Sequence, residues 1–128
     1  MSYYMEKNLA IGFDRALERV REELQKEGSG VLTEIDVQET LGKKLGIKFR
    51  KYRILGACNP SFAHRALEQE SRIGLLLPCN VIVQESEGGN VEVAAVDPVE
   101  SMQRVGNPRL ADVALQVRAK LQNVIRAL

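Results

Sequence analysis

The chain has 128 residues, the length of one ordinary domain, of which 45% are hydrophobic and 27% are charged. Eighteen Lys and Arg residues against seventeen Asp and Glu residues give a formal net charge of +1, so no overall charge attracts nucleic acid or an anionic membrane. Apolar runs such as Leu75–Leu77 are too short to span a membrane, and the first residues lack the apolar core of a signal peptide. These features exclude membrane, collagenous, disulfide-rich and disordered proteins. They predict a cytoplasmic protein with one domain over residues 1–128, two reduced cysteines and no membrane partner.

The first third of the chain predicts a strand, a helix and a second strand. Residues 3–9 have the aromatic character of a short strand. Apolar residues spaced by three and four then predict an amphipathic helix that ends at Gly28–Gly30, with the stripe Phe13, Ala16, Leu17, Val20 and Leu24. The segment Val31–Val37 alternates between apolar and polar residues, which is typical of a half-buried strand, and its odd-numbered residues share one side.

The middle third predicts a helix, a strand and another helix. The short helix covers Gln38–Leu45 and ends at Gly46. The strand covers Phe49–Ala57, and the helix after it begins at Asn59-Pro60. This order continues the alternation of strands and helices.

The last third predicts a β-hairpin and a long helix. Val81–Val83 and Val91–Ala95 flank Glu87–Asn90, whose two glycines are a strong turn signal. An unbroken amphipathic stripe follows Asn107-Pro108 and consists of Leu110, Val113, Ala114, Val117, Leu121, Val124 and Leu128. Five strands and several helices in this order predict a single α+β domain, with helices packed on one face of a mainly antiparallel sheet.

Four predicted helix starts carry a side chain that can cap them. Asp36 precedes Glu39 by three residues, the spacing of a capping box. Asn59, Asp97 and Asn107 each stand directly before a proline, which favours the first position of a helix. Capping therefore explains these polar residues, Asn59 included, without any catalytic role.

Catalytic and metal-binding templates are absent from the sequence. It contains no glycine-rich phosphate loop, no His-Glu-x-x-His and no Gly-x-Ser-x-Gly motif. Cys58, His64 and Cys79 offer three zinc ligands, but a structural zinc site needs four and the spacing fits no standard finger. The single histidine lies one turn into its helix and is expected to face solvent. We therefore predict no metal and no cofactor.

Two Cys-Asn pairs are the most informative polar positions. Cys58 precedes a helix N-terminus, whose positive end favours a thiolate, although a free cysteine is more often a small buried apolar residue. Asn80 follows Cys79 at the start of a strand, where asparagine is rare and no helix begins. Its side chain must either bind a buried backbone group or face a ligand, and the sequence does not separate these alternatives.

A basic run precedes and enters the third predicted strand. Within eleven residues without an acid it contains Lys43, Lys44, Lys48, Arg50, Lys51 and Arg53. The run could contact phosphate groups of nucleic acid or an anionic metabolite, or it could be a solvated rim that protects a sheet edge. Because Glu34, Asp36 and Glu39 lie close by in sequence, we expect no specific binding to DNA.

Two longer blocks resemble a known family. Tyr52–Pro60 and Gly74–Val81 are similar, in the same order, to the signature stretches of the bacterial and archaeal family called domain of unknown function 302. Ile35–Val37 and Asp97-Pro98 fit its pattern as well, and the resemblance extends over about residues 4–102.

The resemblance implies architecture and no chemistry. It implies a curved antiparallel sheet, similar in class to one repeat of the TATA-binding-protein fold, with the amphipathic helix at about 108–128 as an extension. No activity is established for the family, so no catalytic residue is carried over, and the fold alone does not indicate DNA binding. Since it implies that the strands containing Cys58 and Cys79 are antiparallel neighbours, we expect these cysteines to lie close together at one end of the sheet.

Three functions remain open. The first is a cytoplasmic accessory or binding protein whose pocket for a small anionic ligand is lined by Cys58, Asn59, Cys79 and Asn80. The second is a thiol-dependent redox or sulfur-transfer enzyme with Cys58 as nucleophile and Cys79 as resolving thiol. The third is binding of nucleic acid or an anion through Lys43–Arg53.

We also expect a homodimer. An antiparallel sheet of this size keeps an open edge, and two-fold dimers are the commonest oligomers. The apolar stripe of the last helix is used by packing within the chain. The sheet edge or the region Phe49–Tyr52 is therefore the expected contact.

Overall fold

The computed structural model describes residues 2–128 and contains one five-stranded sheet in which each neighbouring pair is antiparallel. The strands are β1 (Tyr4–Leu9), β2 (Gly30–Asp36), β3 (Tyr52–Cys58), β4 (Cys79–Glu85) and β5 (Val91–Val96). Their order across the sheet is β1-β5-β4-β3-β2, so β4 is central and β1 and β2 are the edges. The α+β class, the five strands and the hairpin between β4 and β5 are confirmed.

Five α-helices connect or follow these strands within the described residues. They are α1 (Phe13–Lys26), α2 (Val37–Leu45), α3 (Pro60–Gln69), α4 (Pro98–Gln103) and α5 (Ala111–Ala127). Short 3-10 helices occupy Ser71–Leu76, Glu87–Gly89 and Pro108–Leu110. Between residues 2 and 128, no helix has the length and apolar character needed to cross a membrane.

Two apolar clusters form the core. The larger one lies between the sheet and the helices α1 and α5, where Val20 and Val124 pack with Val81 and Val83 of the central strand. The smaller one joins α3, α4 and α5 through residues such as Ala66 and Met102. The partly buried side chains of Leu77 and Val117 contact both clusters.

Strand β2 differs from the alternation that its sequence predicts. Its ladder pairs Val31 with Ala57 and Thr33 with Gly56, so a bulge at residue 32 leaves one residue without a partner. The bulge moves Thr33 and Ile35 to the face opposite Val31, whereas the sequence predicts all three on one side. Val37 does not continue the strand, because the Asp36 side chain accepts a hydrogen bond from Glu39 N at 2.9 Å and begins α2.

The predicted start of β3 is three residues too early. Phe49 and Lys51 precede the ladder, but their carbonyl groups are satisfied: Gln38 Nε2 donates to Phe49 O at 3.0 Å, and Glu85 N donates to Lys51 O at 3.0 Å. Regular pairing begins at Tyr52, opposite Gln84. The apolar pattern therefore predicts a strand in this part of the chain correctly, but it does not predict the residue at which pairing with β4 begins.

Three of the four predicted caps are confirmed and one is wrong. Besides Asp36, Asp97 accepts from Val99 N at 2.9 Å and Asn107 accepts from Arg109 N at 3.0 Å. Asn59 occupies the capping position of α3, but its side chain makes no capping hydrogen bond. It turns instead toward the end of α1, where a Cβ added at Gly28 would lie 3.2 Å from Asn59 Nδ2.

The two segments that resemble the family signature, Tyr52–Pro60 and Gly74–Val81, come into contact at Gly56 and Pro78. A Cβ at Gly56 would lie 2.6 Å from Pro78 Cγ and would also collide with Thr33 Oγ1. Gly56 is therefore required by the close approach of the segment that leads into β4. The contact fixes where β4 begins relative to β3.

We expect Gly56→Ala to lower the free energy of unfolding by about 1–3 kcal/mol, the usual cost of overpacking a tight site. Chemical denaturation measures the change. Gly30→Ala on β2 is the matched control, because a Cβ there meets nothing within 4 Å. Equal stability of the two variants would contradict the close approach at Gly56.

Candidate functional site

The end of the sheet where β3 stops and β4 starts brings the two cysteines together. Ala57 is the direct cross-strand partner of Cys79, and Cys58 is the next residue along β3. Directly paired residues have Cα atoms about 5 Å apart, so the expectation that the cysteines are neighbours at one end of the sheet is confirmed. Both thiols are free.

A cavity lies beside this sheet end, between α3 and α5. Its volume, counted for the centres of water molecules, is about 40 Å³. Its apolar walls are formed by Leu24, Ala57, Phe62, Ala63, Ala66, Leu77, Met102, Val113, Val117, Leu121 and Val124. The cavity is the gap between the two apolar clusters, since members of both line it.

The polar groups of the cavity are confined to its rim. Glu27, Ser29, Asn59 and Lys120 line it and are all partly exposed. Glu27 accepts a hydrogen bond from Asn123 Nδ2 at 3.1 Å. Within residues 2–128 Lys120 forms no ion pair, and its Nζ lies 5.9 Å from the centroid of the Phe62 ring. The rim thus presents one cation and one amide that are free to bind a ligand.

Burial disfavours the ionised form of both thiols. It raises the pKa of Cys58, which is half-buried, and raises the pKa of Cys79 from its ordinary value to about 11, with the neighbouring Cys58 as a smaller cause. At pH 7 about one Cys79 thiol in ten thousand is then ionised. Burial thus opposes the lowered pKa that activates nucleophilic thiols.

The one histidine does not lie at the cavity that the two cysteines line. His64 is exposed, as expected, and its Nε2 lies 3.0 Å from Glu68 Oε1 on the outer side of α3. In the part of the chain from Ser2 to Leu128, no group of three or more His, Cys, Asp or Glu side chains is arranged to hold a metal ion. The charged side chains at this site are therefore Glu27 and Lys120 of the cavity rim.

Asn80 does not join the other three predicted site residues. It is paired with Gly56 and is exposed on the opposite face of the sheet, because successive residues of a strand point to opposite faces and Cys79 points to the core. Asn80 lines a shallow groove with Tyr52, Gln84 and Glu92 instead. The structure therefore brings together Cys58, Asn59 and Cys79 but separates Asn80 from them.

Three of the six cations of the basic run have polar partners within the chain. Arg53 pairs with Glu34 and, at 3.2 Å, with Asp36, while Lys43 lies 2.6 Å from Glu39. Arg50 donates to Gln84 Oε1 at 2.9 Å. Among the described residues, Lys44, Lys48 and Lys51 make no ion pair, so half of the run remains available to an anion.

The sequence pattern missed the residues that complete the cavity. Phe62 and Val117 were expected only as core residues, and the amphipathic pattern of α5 marks Lys120 as ordinary polar surface. No local motif distinguishes Lys120 from the other surface lysines. Its position at the rim depends on how α5 lies against α3, which is a tertiary property.

Comparison with known proteins identifies relatives of the whole chain. The family model described as "Domain of unknown function DUF302" matches residues 5–128, and thus includes α5. A solved structure, described as an uncharacterized conserved DUF302 protein from Bacillus stearothermophilus, superposes with a TM-score of 0.91 and 28% sequence identity over 98% of each chain. No curated protein matches the sequence.

The raised pKa values predict slow thiol chemistry in the native protein. We expect a disulfide reagent such as Ellman's reagent to modify Cys58 slowly at pH 7 and to reach the buried Cys79 only after unfolding. Because the folded-state pKa of Cys79 is raised, its contribution to stability is full below pH 9 and decreases as the pH rises toward about 11. Mass-resolved labelling at pH 7 measures the reactivity of each thiol, and chemical denaturation between pH 7 and pH 11 measures the change in the free energy of unfolding. Rapid modification of native Cys79 at pH 7 would show that the thiol is activated.

Proposed function

This chain belongs to the DUF302 family, and we propose that it is a binding protein for a small molecule with a short apolar body and an anionic end. The observation that carries the proposal is the coincidence of an apolar cavity with an unpaired amide and an unpaired ammonium group at its rim. Binding sites for small molecules commonly combine apolar walls with a few convergent polar groups.

The size of the cavity limits the ligand. The space open to water centres is only about 40 Å³. The apolar part of the ligand is therefore short, on the order of a few carbon atoms. Larger molecules would have to displace α3, which contributes Ala66 as its one fully buried residue.

The rim favours an anionic end group. Lys120 supplies a positive charge, and the uncapped N-terminus of α3 adds the positive end of its helix dipole. Asn59 Nδ2 is a further donor on the same rim. Glu27 disfavours a second negative charge nearby, which supports a ligand with a single carboxylate or a similar small anion.

The thiol-enzyme alternative has weaker support. A nucleophilic cysteine needs a lowered pKa or an adjacent base, whereas burial raises the pKa of both Cys58 and Cys79. The two thiols fit better as small apolar parts of the cavity wall. Binding of nucleic acid is likewise less favoured, because Glu34, Asp36 and Glu39 pair with Arg53 and Lys43 and place negative charge beside the basic run.

A series of straight-chain carboxylates from acetate to octanoate tests the proposal. We expect affinity to rise with chain length up to about five carbons and then to fall, since longer chains exceed the cavity. Lys120→Gln should weaken binding about 10- to 100-fold, the usual value of a charge-assisted hydrogen bond. Titration followed by amide chemical shifts measures each affinity and shows which residues respond.

Two further variants make the test specific. Ala63→Leu fills the cavity from α3 and should abolish binding while thermal melting still shows a cooperative fold. Lys44→Gln on α2 removes an exposed lysine away from the cavity and should leave affinity unchanged. Equal weakening by Lys120→Gln and Lys44→Gln, or no binding by any member of the series, would contradict the proposal.

A further inference from the structure

One face of the sheet is not covered by the two core clusters. Helices α1 and α5 cover the face that carries Val81 and Val83. The opposite face, here called the open face, carries the alternate strand residues that point away from α1 and α5, among them Ile35, Ile54, Asn80, Ile82, Glu92 and Val96. Of these six, only Val96 packs against either cluster.

An apolar row crosses the open face at right angles to the strands. Ile35 is the cross-strand partner of Ile54, Ile54 of Ile82, and Ile82 of Ala94. Ile35 is 49% exposed, Ile54 and Ile82 are half-buried and Ala94 is buried, yet none of the four belongs to either core cluster. An apolar row that the core does not use is a candidate interaction surface.

The row extends into exposed side chains at one end of the open face. Leu75 and Leu76, which precede β4, are 85% and 40% exposed, and Tyr3 is 70% exposed. Leu75 and Leu76 line a shallow groove together with Asn80 and Val96 of the open face. The exposed apolar surface is therefore continuous from the sheet to its rim.

The two edges of the sheet are protected against pairing with another sheet. The bulge at residue 32 interrupts the ladder of β2, and Lys7 of β1 turns its ammonium group to the C-terminal end of α5, where it donates to Arg126 O at 3.1 Å. Addition of a strand at an edge is thus disfavoured, while the open face has no such protection.

We propose that two copies of the chain pack through their open faces, with the two-fold axis parallel to the strands and passing over β4. This axis places β5 of one copy over β3 of the other, because these strands flank β4. The two sheets then stack in an aligned sandwich, with isoleucines interdigitating at its centre.

The charges on the open face are self-complementary about this axis. Glu92 and Tyr52 are both partners of Gln84, so they lie at the same level on either side of β4. Arg50 lies two residues before Tyr52, with its guanidinium carbon 5.5 Å from the Tyr52 ring centroid. Within one chain Arg50 Nε donates to Gln84 Oε1 and Gln84 Nε2 donates to Glu92 Oε1, so the neutral Gln84 amide holds both charged groups in place. The axis then brings Glu92 of each copy opposite Tyr52 and Arg50 of the other, twice in the dimer.

The open face carries acidic side chains on its β1–β5 side and Arg50 beside β3. This distribution disfavours a dimer in which the β1–β5 sides of the two copies meet. Glu92 raises the pKa of its neighbour Glu6, which shows that two carboxyl groups share the β1–β5 side. An axis that placed this side on itself would bring four carboxyl groups together. Repulsion between them favours the arrangement with β5 over β3.

The area of the open face is adequate for a dimer. Five strands about 4.8 Å apart and six residues of about 3.4 Å each give a flat footprint of roughly 500 Å². Side-chain relief and the exposed rim of Tyr3, Leu75 and Leu76 increase the accessible area above this value. A standard interface buries about 800 Å² on each partner, which is of the same order.

Sedimentation of the full chain tests the interface. We expect the wild type to sediment at twice its 14.3 kDa at about 100 µM. Ile82→Lys should raise the dissociation constant about 30-fold or more, because it buries a charge at the centre of the contact. Leu115→Lys is the matched control: this leucine is 54% exposed on α5, away from the open face, and its variant should remain dimeric. A monomeric wild type, or an Ile82→Lys variant whose dissociation constant equals that of the wild type, would overturn the proposal.

Charge exchange tests the direction of the axis. Glu92→Lys and Arg50→Glu should each weaken the dimer alone, since each places like charges opposite one another. A mixture of the two variants should form a heterodimer in which both charge pairs are opposite in sign. Failure of the mixture to associate, while Ile82→Lys still disrupts the wild-type dimer, would overturn the axis parallel to the strands. Circular dichroism of each variant confirms that it is folded.

Discussion

The close contact between Gly56 and Pro78 determines where the central strands begin and end. Because residue 56 is a glycine and has no Cβ, Pro78 and the segment that leads into β4 can lie directly against β3. That approach sets Ala57 opposite Cys79 and every later pair of the β3–β4 ladder. It also sets which residues of β4 face the helices and which face away. The family signature around these residues is therefore explained first by packing, before any chemistry is considered.

The cavity follows from how the helices meet this sheet end. Helices α1 and α5 pack on the sheet to form the larger apolar cluster. Helices α3 and α4 pack against another side of α5 to form the smaller apolar cluster. The two clusters join through Leu77 and Val117 but do not fill the space between α3 and the sheet. The small side chains of Ala57, Ala63 and Ala66 keep that space open, since a larger residue at any of them would reduce it.

Local patterns in the sequence were sufficient to predict the helices and strands. They were insufficient to predict which side chains meet at the cavity. Periodicity predicted α1 and α5, and turn chemistry predicted the β4–β5 hairpin, because these signals depend on neighbours in sequence. The bulge in β2 reversed the faces of Thr33 and Ile35, and the strand's alternation gave no sign of it. Asn59 fits the pattern of a helix cap, yet its side chain lies against Gly28, a residue about thirty positions earlier in the chain. Lys120 reached the cavity rim through the packing of α5 on α3, which no local spacing encodes.

The alternation at Cys79-Asn80 separates the two proposed surfaces physically. Cys79 points to the cavity on the helix side of the sheet, and Asn80 points to the open face on the other side. A ligand in the cavity contacts α3, α5 and the buried face of β3, whereas a second copy contacts the opposite side of the same strands. The sheet between them is close-packed and continuous in hydrogen bonding, so neither surface needs the other in order to form. Ligand binding by a monomeric variant would then be unchanged, and the two properties can be established or rejected independently.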